Sequence, residues 1–151
     1  MTKLTRPVME KRLDELLKVV RYRNAETPEY NVCATCQRQF PIKELQCGHF
    51  IKRGNLVLKY DDMNLMPQCR RCNHFLDGAQ DKAAYHIIQT YGLHNFQALI
   101  HTDYAWLDGK LKKPGREQIV RYYNHWLAIN RETEKRWNIK LIPASWEPSE
   151  G

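Results

Sequence analysis

Four of the five cysteines fall into two C-x-x-C turns, Cys33-Ala34-Thr35-Cys36 and Cys69-Arg70-Arg71-Cys72. Two such turns together supply four thiolates, the donor set of tetrahedral structural zinc. One isolated pair is open to a redox reading, but the paired occurrence points to Zn2+ held by Cys33, Cys36, Cys69 and Cys72. A site closed by four sulfurs leaves no position for water or substrate, so this metal is expected to stabilise the fold and not to react. Residues 37–68, 32 positions, separate the two turns and must house something sizeable. The fifth thiol, Cys47, is expected to be a small buried residue.

That insert contains Gly48-His49-Phe50, Arg53-Gly54-Asn55 and Asp61-Asp62-Met63-Asn64, and Asn73 follows the last cysteine directly. An imidazole with its ordinary pKa of about 6.5 is largely neutral at neutral pH and can accept a proton from water attacking phosphorus. Phosphodiester hydrolysis needs such a base and a cation to hold the developing charge, and His49 fits the base. Lys52, Arg53, Arg70 and Arg71 flank this centre; Arg53 is the best candidate to offset transition-state charge.

Taken together, the segments C-G-H-F-I-K-R-G-N, L-K-Y-D-D-M-N and Q-C-R-R-C-N, with the later Y-G-L, resemble the HNH, or His-Me finger, nucleases. Within that superfamily the chain is most similar to the lambdoid phage NinG/Rap recombination endonucleases over roughly residues 33–100. Its zinc knuckles are also similar to those of phage T4 endonuclease VII. The resemblance implies a ββα-metal unit, in which a hairpin and one helix clamp a single catalytic Mg2+ or Mn2+. It implies that Asn64 ties down the loop and orients His49, and that Asn73 binds the catalytic ion through its amide oxygen. Many members place an Asp before the general-base His; here Gly48 stands in that position, as in the NinG-like pattern, and the second ligand is unassigned. His74 and Asp77 rank first for it because they lie on or near the same helix as Asn73, ahead of Asp61 and Asp62.

Elements must hold these residues in place. Met9, Leu13, Leu16, Leu17 and Val20 recur at helical spacing behind Pro7, so one amphipathic helix is expected over 7–24. Two short strands are expected near 45–51 and 56–68, although Asp61, Asp62 and Pro67 interrupt the second. Ala84, Ile87, Ile88 and Tyr91 mark a helix capped at Gly92, and a short helix is expected near 95–101. Residues 103–113 read as a loop. From Pro114 on, Ile119, Tyr122, Tyr123, Trp126 and Asn130 line the longest helix, and this aromatic stripe reads as packing. The expected class is α+β: an N-terminal helix and linker over 1–32, a zinc-stabilised nuclease core over 33–78, a helical extension over 79–138 and an extended tail over 139–151.

Length, at 151 residues, suits one domain with additions, and 42% hydrophobic with 27% charged residues excludes a disordered or collagen-like chain. No apolar run approaches the roughly 18 residues a membrane span needs, and the first residues carry no signal-like apolar core, so a cytoplasmic location is expected, that of the host if phage-encoded. The net charge of +7 suits a polyanionic partner. The expected activity is metal-dependent endonucleolytic cleavage of branched recombination intermediates such as Holliday junctions or D-loops, branch preference following from the resemblance alone. A homodimer is expected because symmetric resolution needs two active sites, and recombination proteins are candidate partners. The alternatives are an HNH nicking or restriction-type enzyme acting on duplex DNA, and a non-catalytic zinc-ribbon DNA-binding module.

Overall fold

Pro7 in the first turn and an apolar stripe behind it start helix α1 (Arg6–Leu16), whose Met9, Leu13 and Leu16 are buried. The α-helix stops earlier than its sequence stripe. Residues Leu17–Tyr22 continue as a 3-10 helix, where two adjacent β-branched valines disfavour α-geometry, and Asn24 turns the chain with a left-handed φ of 62°. These features belong to a computed structural model that describes residues 3–151. Its class is α+β, with two two-stranded antiparallel sheets and four α-helices among the described residues.

The chain packs as two units. One comprises the chain up to Val19 together with Pro114–Gly151, and its centre is α1 against the long helix Arg116–Trp137, labelled α4 below. Ile119, Val120, Tyr123, Trp126 and Leu127 form the buried stripe of α4, and Tyr123 and Trp126 are 0% exposed. The aromatic stripe is core, not a stacking platform for bases. Asn130 continues the stripe as an amide that donates to the carbonyls of Leu16 (2.9 Å) and Trp126 (2.8 Å). The tail runs back along α4, where Arg131 donates to the carbonyls of Pro143 and Trp146, both at 2.8 Å.

The second unit, Val20–Lys113, holds both sheets. Strands β1 (Tyr30–Val32) and β2 (Gln39–Pro41) form a hairpin around the first C-x-x-C turn. Strands β3 (Leu45–His49) and β4 (Leu65–Cys69) form a second, with Gly48 opposite Met66 and His49 opposite Leu65. Between them, residues 50–64 are loop, so the second strand is less than half as long as its apolar pattern suggests. Turn chemistry overrides that pattern. Asn55 accepts from the N–H groups of Val57 (3.0 Å) and Leu58 (3.2 Å), and Asp61 caps the 3-10 turn Asp62–Asn64 by accepting from Met63 N–H.

After β4 the chain makes one π-helical turn, Arg71–Phe75, and then helix α2 (Gln80–Tyr91). Gly92, at φ 88°, separates α2 from α3 (Leu93–Leu107), which is longer than the short helix its sequence suggests and absorbs the first part of the expected loop. Phe50, Ile51, Leu58 and Met66 pack with Ala83 and Ile87 of α2 and Leu99 of α3 in one cluster. The β3–β4 hairpin therefore has a helical backing, and its loop is part of the core.

Candidate functional site

The first C-x-x-C turn is built on the backbone. Gln37, at φ 62°, donates its N–H to the Cys33 carbonyl at 2.9 Å, and Cys33 N–H pairs with the Arg38 carbonyl at 2.9 Å. Ala34 N–H then docks on the Pro67 carbonyl of β4 at 2.8 Å, which brings the turn against the second hairpin. There the sulfurs of Cys33, Cys36, Cys69 and Cys72 all lie within 4.8 Å of one another. The Cys36–Cys69 sulfur separation of 3.9 Å is close to the edge of a tetrahedron with metal–sulfur bonds of about 2.3 Å. The four cysteines have a geometry able to hold a metal ion, and their donor chemistry fits zinc.

Hydrogen bonds favour the thiolate at Cys33. Burial alone would raise this thiol, but the N–H groups of Cys36, Cys69 and Thr35 and the Thr35 hydroxyl outweigh it and hold the group to about 6. Cys72 is pushed up to about 12, chiefly by burial. A cavity of about 430 Å³ opens beside this cluster, lined by Arg38, Arg70, Arg71 and Lys82 with Glu44 as a lining acid. Arg70 lies over the exposed Phe75 ring at 5.5 Å and is itself exposed.

His49 ends β3, and its Nε2 lies 2.9 Å from the Lys59 carbonyl oxygen. A carbonyl can only accept, so Nε2 carries the proton and Nδ1 is the basic nitrogen of the neutral ring. Lys59 sits in the 50–64 loop, and Asn64 fixes that loop. The Asn64 amide is 0% exposed; it donates to the carbonyls of Ile51 (3.0 Å) and Leu58 (3.1 Å) and accepts from Ile51 N–H (2.7 Å). Both ends of the loop are thus tied to one side chain, one residue away from the carbonyl that orients His49.

Cys47 shares the His49 face of β3. Burial pushes its thiol up to about 12, while Arg23, Arg53 and Arg21 pull it down. These guanidiniums therefore lie close enough to Cys47 to favour its charged form. Arg23 is anchored by the carbonyls of Asp62 (3.0 Å) and Leu65 (2.8 Å) and by the Asp62 carboxylate (3.3 Å). Arg53 is exposed. The sequence marked Arg53 but not Arg21, in the 3-10 helix after α1, or Arg23, in the turn just beyond it, both far away in the chain.

Asn73 lies in the π-helical turn and donates to the Gln46 side-chain oxygen at 2.8 Å. His74, in the same turn, packs edge-on to Phe75 with ring centroids 5.1 Å apart. Asp77 pairs with Lys52 at 2.6 Å and is largely exposed. Asp61 is spent on its cap and Asp62 on Arg23, and burial raises the Asp61 carboxyl. Cys33, Cys36, Cys69 and Cys72 form the one group of three or more His, Cys, Asp or Glu side chains among the described residues that is close enough to share an ion. No helix among the described residues is long and apolar enough to cross a membrane. Compared with known proteins, the chain matches no family model, no curated protein and no solved structure.

Proposed function

We propose that this chain is a metal-dependent DNA endonuclease of the HNH, or His-Me finger, type, akin to the NinG/Rap enzymes, that hydrolyses phosphodiester bonds in branched recombination intermediates. The observation that carries the reading is the His49 Nε2 contact to the Lys59 carbonyl at 2.9 Å. It leaves Nδ1 as the nitrogen able to take a proton from water, and the Asn64 amide makes that orientation a property of a closed loop. The β3–β4 hairpin followed by the helical turn with Asn73 corresponds to the ββα arrangement in this reading, with zinc on the four cysteines as the structural ion.

Asn73 would hold Mg2+ or Mn2+ through its oxygen, and the bound ion would supply charge stabilisation at the phosphate. Arg53 is the cation that offsets transition-state charge in this reading, while Arg38, Arg70, Arg71 and Lys82 contact DNA backbone further along. The enzyme acts as a homodimer, since two cuts across a junction need two sites.

The test compares cleavage of an immobile four-way junction with that of a linear duplex of the same sequence, in Mg2+, Mn2+ or EDTA. Metal-dependent cutting confined to the junction is expected. Equal cutting of both substrates would leave a nuclease without branch preference, and tight binding without cutting would make the chain a DNA-binding zinc protein.

A further inference from the structure

Two amide side chains on one face of the β3–β4 hairpin, Gln46 and Gln68, have no role in the proton transfer assigned to His49. Gln46 stands directly opposite Gln68 in the register, and Gly48 lies two residues along β3 from Gln46, so all three positions share a face. Gln68 is 1% exposed. Its Nε2 donates to the Gly78 carbonyl at 2.9 Å and to the Thr35 hydroxyl at 3.3 Å. Because a carbonyl accepts only, the amide is held one way round, with its oxygen turned toward β3. That oxygen lies 2.0 Å from where a Cβ on Gly48 would stand. Position 48 is glycine because the Gln68 amide fills the space a side chain there would need.

Asn73 repeats the pattern. Its Nδ2 is committed to Gln46 at 2.8 Å, which presents Oδ1 as an acceptor. No hydrogen bond from the described residues runs to Oε1 of the buried Gln68 or to Oδ1 of the half-buried Asn73. Two amides on adjoining elements thus have spent nitrogens and offered oxygens. Neutral oxygen donors of this kind suit a hard divalent cation that keeps waters and takes phosphate oxygens.

We infer that Gln68 Oε1 is the second protein ligand of the catalytic cation, beside Asn73 Oδ1, and that Gln46 positions Asn73 for it. This rests on the endonuclease reading and adds to it the ligand that replaces a carboxylate at position 48. Lys52, the cation beside Gly78, is held by Asp77 at 2.6 Å, so its charge is compensated locally.

The experiment is titration of the zinc-loaded full chain with Mn2+, followed by electron paramagnetic resonance, with zinc content and junction cleavage measured on the same samples. The expected result is that Gln68→Met weakens Mn2+ binding at least about tenfold with zinc content unchanged. The double variant Gly48→Asp with Gln68→Ala places a carboxylate in the vacated space and is expected to restore binding to near the parent's level. Where Gln68→Met fails to retain zinc, the double variant decides, and a zinc-loaded double variant that binds no Mn2+ would overturn the assignment. Gln68→Met binding Mn2+ as tightly as a parent that cleaves would remove Gln68 and leave the nuclease reading standing. A parent that neither binds Mn2+ nor cleaves would remove both.

Discussion

The two units of the molecule are held together by different means. In the α1–α4 unit the helix pair is joined by apolar contacts along two stripes with Asn130 set among them, and polar side chains, Arg131 and Glu134, serve to fasten the tail. In Val20–Lys113, single polar side chains each fasten several backbone groups of the loop and its flanks: Asn64 those of Ile51 and Leu58, Asn55 the N–H groups of Val57 and Leu58, Arg23 the carbonyls of Asp62 and Leu65. Apolar stripes degrade gradually under substitution because neighbours relax into the space left behind. A buried amide that serves three groups does not, since its loss leaves all three unmatched. A loop whose Lys59 carbonyl fixes the His49 ring benefits from the second kind of construction.

The largest effect that would sharpen this contrast comes from the cysteines. Cys69→Ser, or a chelator, is expected to withdraw from Val20–Lys113 the binding free energy of a zinc ion on the four cysteines, on the order of 10 kcal/mol. Thermal unfolding should show a strongly lowered midpoint with zinc release by a colorimetric chelator. Next is Asn64→Ala, expected to cost about 3 kcal/mol or more by denaturant unfolding, and to cost still more in cleavage because the Lys59 carbonyl loses its anchor. Leu13→Ala in the other unit should cost about 2 kcal/mol or more and leave the cleavage rate per folded molecule unchanged. If both variants lose stability and activity in the same proportion, the contrast between the units fails.

The smallest effect is electrostatic. Burial would raise the Glu134 carboxyl, but Leu141 N–H, the Arg131 guanidinium and Ile142 N–H together hold it below its ordinary value of 4.5. Its stabilisation is complete above that value and lost as pH falls through the lower folded-state pKa. Acidification should therefore release the tail, seen as a transition in the Leu141 and Ile142 amide resonances that Glu134→Gln removes. A transition centred above 4.5 would contradict the sign.

Much of this was legible in the sequence, for definite reasons. Helix periodicity located α1, α2 and α4, and the C-x-x-C spacing located four sulfurs that do come together. His49 and Asn64 stood out by type, and they are joined through the same loop. The loop itself was harder to see, because Leu56, Val57 and Leu58 look like strand until the side-chain bonds of Asn55 are known. Gln68 carried a signal that was overlooked, a long polar side chain in the buried strand Leu65–Cys69. Its partners, Gly78 and Thr35, are set by tertiary packing, and no local pattern encodes them.

The central claim is that His49 is the base, and the most direct test is the single-turnover cleavage rate of His49→Ala against the parent at equal zinc content in saturating Mg2+. A loss of about 10²–10⁴-fold with junction binding intact is the predicted result. Cleavage by His49→Ala at the parental rate would contradict it.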